Sequence, residues 1–321
     1  MQKTDFIWLN GSFVPWDEAK VHALTHTLHY GSGAFEGIRF YKTSEGPAIY
    51  RLDEHIERLF YSSETIGMVL PYSFDELRKV IIDLVSINRL EEGYIRPLSY
   101  YGYGGVGINP HNNPVEMMIA CWPWGAYLPH DRVDIKTSKY IRVHPQSTVA
   151  DAKICGHYIN GLLGQLELRG THYHESLFLD YEGNIAEGAG ENLFIVKDNI
   201  IYTPTLGNIL AGITRETVIE MTRNLGYEVV EKKITLKDAY NADEAFFTGT
   251  AAEITQVRSI DDKLIGKDEK GEVSNKVKTF YHEMVRGKQK AYKNYLTYAP
   301  SVSSDKVVAA KYRVDRMQTK L

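Results

Sequence analysis

The spacing of apolar and polar residues changes period several times along the chain, and each change marks an element. FIWLNGSFVPW alternates at period two around Asn10-Gly11, a dipeptide suited to a two-residue turn, which predicts a β-hairpin. LHYGSGAFEGIRFY and GPAIYRL continue as strand-like stretches. From Asp53 the period becomes helical. Leu52, Ile56, Leu59, Phe60 and Ile66 share one stripe, which leaves Arg51, His55, Arg58 and Ser62 on the opposite face. The next helix carries its own start signal: Ser73 and Glu76 form a capping box ahead of Leu77, Val80, Ile81, Leu84 and Val85 at helical spacing. YIRPLSYYGY and VEMMIACW predict two strands, split by a turn rich in glycine.

Trp122 to Pro129 interrupts this order, because two prolines and a glycine among large aromatics suit a connecting segment better than a strand. Beyond it come strands at VDIKTS and YIRV and a helix striped by Ile159, Leu162, Leu163 and Leu166. Hairpin strands ESLFLD, ENLFIV and IIYTP follow, then a helix from about Arg215 to Leu225, the stretch EAFFTGTAAEITQVRS and a last helix through Val285. The expected class is α+β or α/β in two domains: a small N-terminal α+β domain over 1–124, an interdomain loop over 125–132, and a larger C-terminal α/β domain over 133–298 that carries Lys153. A polar tail, 299–321, holds five Lys/Arg against two Asp after Ser303 and reads as a loosely held terminus.

Composition narrows the function classes. With 321 residues and 43% hydrophobic content the chain can fill two cores, and a net charge of −4 offers no general basic field for nucleic acid or anionic lipid. Cys121 and Cys155 form no CxxC pair, which argues against a disulfide framework or a structural zinc site. No stretch approaches 18 apolar residues, and the N-terminus lacks a basic region followed by an apolar run, so a cytoplasmic location is expected.

Four places carry candidate chemistry. Alternation along YIRPL puts Tyr94, Arg96 and Leu98 on one face, where a phenol and a guanidinium can bind a carboxylate, and Pro97 points to an edge strand or bulge. Gly212-Ile213-Thr214 ahead of a helix can hold an anion through exposed N–H groups. Thr248-Gly249-Thr250-Ala251-Ala252 leaves backbone N–H groups accessible at a strand end. Glu187, between a tight turn and two glycines, needs a cationic partner if it is buried. Each has a plainer account: an interface salt bridge for Arg96, an N-cap for Thr214, an ordinary turn for the TGTAA stretch, a surface turn for Glu187. Spacing alone does not single out Lys153 among the lysines.

Taken together and in order, LHYGSGAFEGIRFY, the Arg58 helix, YIRP, PWGAY, the Lys153 segment, AEGAGENLF, GITRE and TGTAAEIT resemble the branched-chain amino-acid aminotransferases, fold-type IV enzymes that use pyridoxal 5′-phosphate (PLP). The resemblance spans roughly residues 5 to 290. It implies a two-domain, aminodeoxychorismate-lyase-like fold with the cofactor between the domains. It also implies transfer of the amino group of leucine, isoleucine or valine to 2-oxoglutarate, giving glutamate. Lys153 would form the Schiff base with PLP and move the α-proton, Glu187 would face the pyridine nitrogen, and Tyr158 would bond the ring's phenolic oxygen. Arg58, Ile213, Thr214 and Thr250 would hold the phosphate, with Gly212 and Gly249 counted among the cofactor-binding positions. Tyr94, Thr250 and Ala251 would take the α-carboxylate and Arg96 the side-chain carboxylate of glutamate, while Tyr30, Phe35, Trp124 and Tyr127 would wall an aliphatic pocket. A homodimer or higher homo-oligomer is implied as well. D-amino-acid transaminases and aminodeoxychorismate lyases share the fold, but YIRP and PWGAY point to the branched-chain branch. Cys155 and His157 depart from the expected pattern of smaller or amide residues, and the CxxC redox switch of some relatives is missing.

Overall fold

Asn10 and Gly11 both adopt positive φ (46° and 93°), as a two-residue hairpin turn requires, and the chain opens with β1 (Phe6–Leu9) paired to β2 (Ser12–Pro15). In this computed structural model, which describes residues 2–125, 128, 130–267 and 271–300, the first half continues with α1 (His26–Tyr30), β3 (Gly33–Phe35), β4 (Ile38–Thr43) and β5 (Gly46–Tyr50). The helices α2 (Leu52–Thr65) and α3 (Phe74–Ile87) and the strands β6 (Gly93–Tyr101) and β7 (Val115–Trp122) complete it. Next come β8 (Arg132–Ile141), α4 (Tyr158–Glu167), β9 (Glu175–Leu179), β10 (Ile185–Gly188), β11 (Asn192–Lys197) and β12 (Ile200–Thr203). The order ends with α5 (Ile213–Asn224), β13 (Val229–Glu231), α6 (Leu236–Tyr240), β14 (Glu244–Gly249), β15 (Glu253–Ile260), β16 (Lys263–Leu264), α7 (Glu272–Val285) and β17 (Leu296–Tyr298). The described residues group into two compact units, one drawn from 2–125, 153–156 and 284–300, the other from the described residues of 128–152 and 157–283.

The first unit is an antiparallel sheet in the order β17-β5-β4-β6-β7-β1-β2, with β3 also on β6. The apolar stripe of α2 and the stripe of α3 bury Leu52, Ile56, Leu59, Leu77, Ile81 and Leu84 with Ile38, Phe40, Ile95 and Ile119 of the sheet. The predicted capping box starts α3: Ser73 Oγ accepts from Glu76 N, and Glu76 Oε2 accepts from Ser73 N at 2.8 Å, a cap worth about 1 kcal/mol. Pro97 does not mark an edge strand, since β6 lies inside the sheet. Glu36 N donates to Pro97 O at 2.9 Å, but Pro97 has no N–H to return. That missing bond falls where β3 stops and β4 has not begun, so the proline interrupts the neighbouring strand and not its own.

The second unit is a mixed sheet, β10-β9-β8-β15-β14-β11-β12-β13 with β16 on β15, and β10 also pairs with β11 at Glu187↔Asn192. The pairing path from β10 through β9, β8, β15, β14 and β11 therefore closes on itself, and Glu187 sits on the closing pair. Val133, Ile135, Leu177, Ile185, Leu193, Phe247 and Val257 form its interior.

Several expectations change. His26–Tyr30 is a short helix ended by Gly31 at φ 63°, not part of a strand. VDIKTS and the first two residues of YIRV form one strand, β8, which ends at Ile141 and whose pairing with β9 shifts register between Thr137 and Ile141. The stripe of α4 faces outward: Ile159, Leu162 and Leu166 are 58%, 51% and 37% exposed. What packs inward is the small face, because a Cβ on Gly164 would come within 2.5 Å of the Phe178 ring. α5 begins at Ile213, two residues before the expected start near Arg215. Lys153–Gly156 groups with the first unit, whereas the sequence boundary put Lys153 in the second domain. An Ala34↔Ile154 bridge and the Phe35 N–H bond to Lys153 O (3.1 Å) tie it to β3. Residues 301–321 of the tail, and parts of the 125–132 loop, lie outside the described residues.

Candidate active site

Phe35, Glu36 and Gly37, three consecutive residues where β3 passes to β4, organise the candidate residues of the first unit. The ring of Phe35 lies 4.9 Å from Arg96 Cζ and 5.0 Å from Lys153 Nζ. Gly37 makes room for Tyr94, whose hydroxyl would stand 1.8 Å from a Cβ at that position. Glu36 is fully buried and accepts from Arg58 Nε at 2.6 Å, Arg58 Nη2 at 3.0 Å and His55 Nδ1 at 2.7 Å. Burial alone would favour its neutral form, but the charges and hydrogen bonds of Arg58 and His55 outweigh that and hold the carboxyl far below its usual range. Burial pushes His55 down from its ordinary value, against the pull of Glu36.

The face of α2 opposite its apolar stripe is therefore not a solvated surface. Arg51, His55 and Ser62 are buried, and Ser62 Oγ accepts from the Lys153 backbone N–H at 2.9 Å. Glu54, four residues before Arg58, pairs with Arg51, at 2.7 Å. Lys153 is thus held at its N–H by α2 and at its carbonyl by β3, and its amine lies beside an aromatic face.

On β6, Arg96 Nη2 donates to Tyr94 Oη at 3.2 Å, as the shared strand face predicts. Arg96 Nε is buried with no hydrogen-bond partner among the described residues. Trp124 meets Tyr94 edge-on, ring centroids 4.4 Å apart, so Phe35, Tyr94, Arg96 and Trp124 form one aromatic group around a guanidinium. Tyr30 is exposed, packs on His26 and donates to Val106 O at 2.8 Å. Tyr127 lies outside the described residues.

In the second unit Glu187 is buried on β10, not on a surface turn, and its cationic partner is Arg142, with Nε 2.5 Å from Oε1. Oε2 accepts from Asn192 Nδ2 and from Leu210 N, both at 3.1 Å. A carboxylate accepts at about four positions, so three donors leave capacity for one more. α5 starts with Gly212 as N-cap, without a side-chain cap. Thr214 is the second helical residue and buried, which removes the plain N-cap account of it. The TGTAA stretch is the turn between β14 and β15: Gly249, Thr250 and Ala251 are half-buried, and Thr248 Oγ1 is buried with no hydrogen-bond partner among the described residues. Tyr158, half-buried, opens α4. His157 Nε2 meets Thr148 Oγ1 at 2.5 Å, and Nδ1 meets Ala152 O at 3.2 Å, so its ring links the Thr148 hydroxyl to the Ala152 carbonyl. Burial holds His157 below its ordinary range and Cys155 up at about 11, so Cys155 is a poor nucleophile at neutral pH.

Three site residues escaped the sequence reading. Glu36 stood inside a noticed motif with nothing to separate it from its neighbours, although the His55–Arg58–Ser62 stripe signalled a polar surface that needed a partner. Asn192 stood in the AEGAGENLF motif without being singled out. Arg142, 45 residues from Glu187, leaves no local trace.

Each unit by itself carries groups that fit part of a phosphorylated pyridine aldehyde. In the first, Lys153 supplies an amine beside an aromatic face and Arg58 a guanidinium; in the second, Glu187 is a buried carboxylate with one acceptor position to spare, and α5 starts without a side-chain cap. Among the described residues no group of His, Cys, Asp or Glu is placed to hold a metal ion, and no helix is long and apolar enough to cross a membrane.

Known proteins agree with this chemistry. The model of the class IV amino-transferases matches residues 33–260. The branched-chain-amino-acid aminotransferase of Pseudomonas aeruginosa is 43% identical over 295 residues, 91% of this chain and 96% of the relative. That of Escherichia coli K12 is 40% identical over 292 residues, 89% and 94% of the two chains. The crystal structure of the T.th. branched-chain amino acid aminotransferase with pyridoxamine 5′-phosphate superposes with a TM-score of 0.90 at 43% identity, covering 94% of this chain and 100% of that one. The same enzyme was solved with N-(5′-phosphopyridoxyl)-L-glutamate and with 4-methylvaleric acid. On these matches, and on a two-unit α+β fold of type IV, the chain belongs to the class IV amino-transferases and, among them, to the branched-chain-amino-acid aminotransferase family.

Proposed function

We propose that this chain transfers the amino group of L-leucine, L-isoleucine or L-valine to 2-oxoglutarate, using PLP carried on Lys153. One observation carries the reading of specificity: a single guanidinium, Arg96, is set among Phe35, Tyr94 and Trp124, with a buried Nε that no described residue satisfies. An aliphatic side chain packs on such a wall, and a side-chain carboxylate pairs with the arginine. A relative that accommodates both a glutamate adduct and 4-methylvaleric acid, which has the carbon skeleton of leucine, supports the same division of labour.

Bound to the protein, PLP supplies the electron sink that stabilises the α-carbon after its proton leaves. The residues do the rest. Lys153 Nζ holds the cofactor, then takes the α-proton and returns it. Glu187, oriented by Arg142, Asn192 and Leu210 N–H, holds a proton on the pyridine nitrogen. Tyr158 donates to the ring oxygen. Arg58, the N–H groups of Ile213 and Thr214, and Thr250 take the phosphate, with Gly212 and Gly249 giving backbone access. Tyr94 and the N–H groups of Thr250 and Ala251 orient the α-carboxylate. Tyr30 and Tyr127 complete the apolar wall.

The exposed stripe Ile159–Leu162–Leu166 supports a homodimer or higher homo-oligomer, since an apolar helix face of this kind is a burial surface. Cys121 and Cys155, unpaired among the described residues, suit a cytoplasmic location. A donor panel against 2-oxoglutarate, read by keto-acid formation, tests the activity. Turnover confined to D-alanine would replace this reading with a D-amino-acid transaminase. Lys153→Ala should abolish the visible absorbance acquired with PLP, and a variant that keeps it would remove Lys153 from its role.

A further inference from the structure

We infer that Glu36 is a positioning residue for anion binding: its buried carboxylate splints Arg58 and fixes the orientation in which that guanidinium meets the cofactor's 5′-phosphate. This rests on reading Arg58 as a phosphate ligand. Arg58 gives Nε and Nη2 to the two oxygens of one carboxylate, so it cannot turn about its long side chain without losing two charge-assisted bonds. The carboxylate is itself immobile. His55 Nδ1 and Gly37 N also reach Oε2, at 2.7 and 3.2 Å, and the Glu36 N–H is tied to Pro97 O on β6. A rigid strand therefore fixes Glu36, and Glu36 fixes Arg58.

Exposure gives the arrangement a direction. The Arg58 side chain keeps 12% of its surface, while Glu36 and His55 keep 0% and 1%, so a ligand reaches this triad only through Arg58. The fork used by Glu36 takes Nε and Nη2, which fixes the plane of the guanidinium. Glu36 also supplies the countercharge that a nearly buried guanidinium needs. A plain salt bridge joining α2 to the sheet would share these contacts but would have no preference for the phosphate of a ligand.

That difference is measurable on the full chain freed of cofactor. Wild type, E36Q, E36D and R58A are titrated with PLP and with pyridoxal, which lacks the phosphate, following tryptophan fluorescence. Wild type should prefer PLP. E36Q should lose about 10- to 100-fold of that preference, while its affinity for pyridoxal stays within roughly threefold. E36D, which keeps the charge with a shorter reach, should fall between them and serves if E36Q folds poorly. Equal weakening of both ligands in E36Q and E36D, or no change in either, overturns the positioning role. If R58A keeps the preference for PLP, the phosphate reading of Arg58 falls and the role of Glu36 falls with it. If R58A loses the preference and E36Q and E36D keep it, only Glu36 is wrongly assigned.

Discussion

Replacing Glu187 by glutamine keeps the shape of the side chain and removes its charge. The carboxylate takes three donors: Arg142 Nε at 2.5 Å, Asn192 Nδ2 at 3.1 Å and Leu210 N at 3.1 Å. The amide oxygen of E187Q can still serve Asn192 and Leu210, but its NH2 end meets a guanidinium that has no acceptor to offer. Arg142 and Glu187 keep only 13% and 7% of their side-chain surface, so water does little to compensate. Breaking a buried pair from one side costs about 3–5 kcal/mol, and the small residual exposure of Arg142 favours the lower end. At roughly 2–4 °C per kcal/mol for a unit of this size, the cofactor-free protein should melt about 6–12 °C lower. If the same charge also holds the proton on the ring nitrogen, the leucine half-reaction should slow by about two to three orders of magnitude.

Two assays separate the structural from the chemical part: melting of the cofactor-free protein by scanning fluorimetry, and single-turnover reaction with L-leucine followed by stopped-flow absorbance. Adding Arg142→Met in the double variant E187Q/R142M removes the stranded guanidinium at similar volume. It should recover most of the lost stability and none of the lost rate. Recovery of both would mean that Glu187 serves only to pair Arg142. A half-reaction in E187Q within about threefold of wild type would refute its role at the ring.

Gly37→Ala should force Tyr94 from its place, since the new methyl would stand 1.8 Å from the hydroxyl, and kcat/KM should fall at least about tenfold for both leucine and 2-oxoglutarate. Normal kinetics would show that Tyr94 is not a ligand. Arg96→Ala should slow the 2-oxoglutarate half-reaction by about 10- to 100-fold more than the leucine half-reaction, and equal losses would make Arg96 structural or a ligand of the α-carboxylate. Burial pushes the Glu175 carboxyl up to about 7, so the native state keeps a proton that the unfolded chain has released by then. Stability from this group is present below pH 4.5 and lost as pH rises to about 7; Glu175→Gln should therefore gain roughly 2–4 kcal/mol on wild type between those limits in urea titrations, and a constant difference across that range would contradict the shift.

Local periodicity and turn chemistry made much of the fold legible. The Asn10-Gly11 hairpin and the Ser73 capping box occur where their residues require them, because both signals act over a few residues. What failed were inferences from side-chain type to side-chain surroundings. The α4 stripe looked like a core face, yet the close approach of Gly161 and Gly164 buries the small side of that helix and turns the leucines outward. Pro97 looked like an edge residue, yet its missing donor is absorbed by a break in the adjacent strand. Periodicity put Arg58 on the polar face of α2 and the family resemblance gave it a ligand, but neither could reveal that its fork is held by Glu36. Arg142 was invisible for the same reason: pairings across 45 residues are set by sheet topology, which no short window contains.

The polar face of α2 shows how the two kinds of information combine. A helix that shows one apolar stripe to the sheet ordinarily turns its other side to water, but Arg51, His55 and Ser62 there are buried. Burying such groups is tolerable only where each finds a partner, and each partner is an element of the proposed site or its support: Glu54 for Arg51, Glu36 for His55 and Arg58, the Lys153 backbone for Ser62. The same helix therefore fixes the core with one face and, with the other, sets the backbone position of the lysine and the orientation of the arginine. Substitutions on the first face should act through stability and those on the second through cofactor affinity. This division follows from which side chains are satisfied by whom, and it would not hold if the polar stripe were simply the outside of the protein.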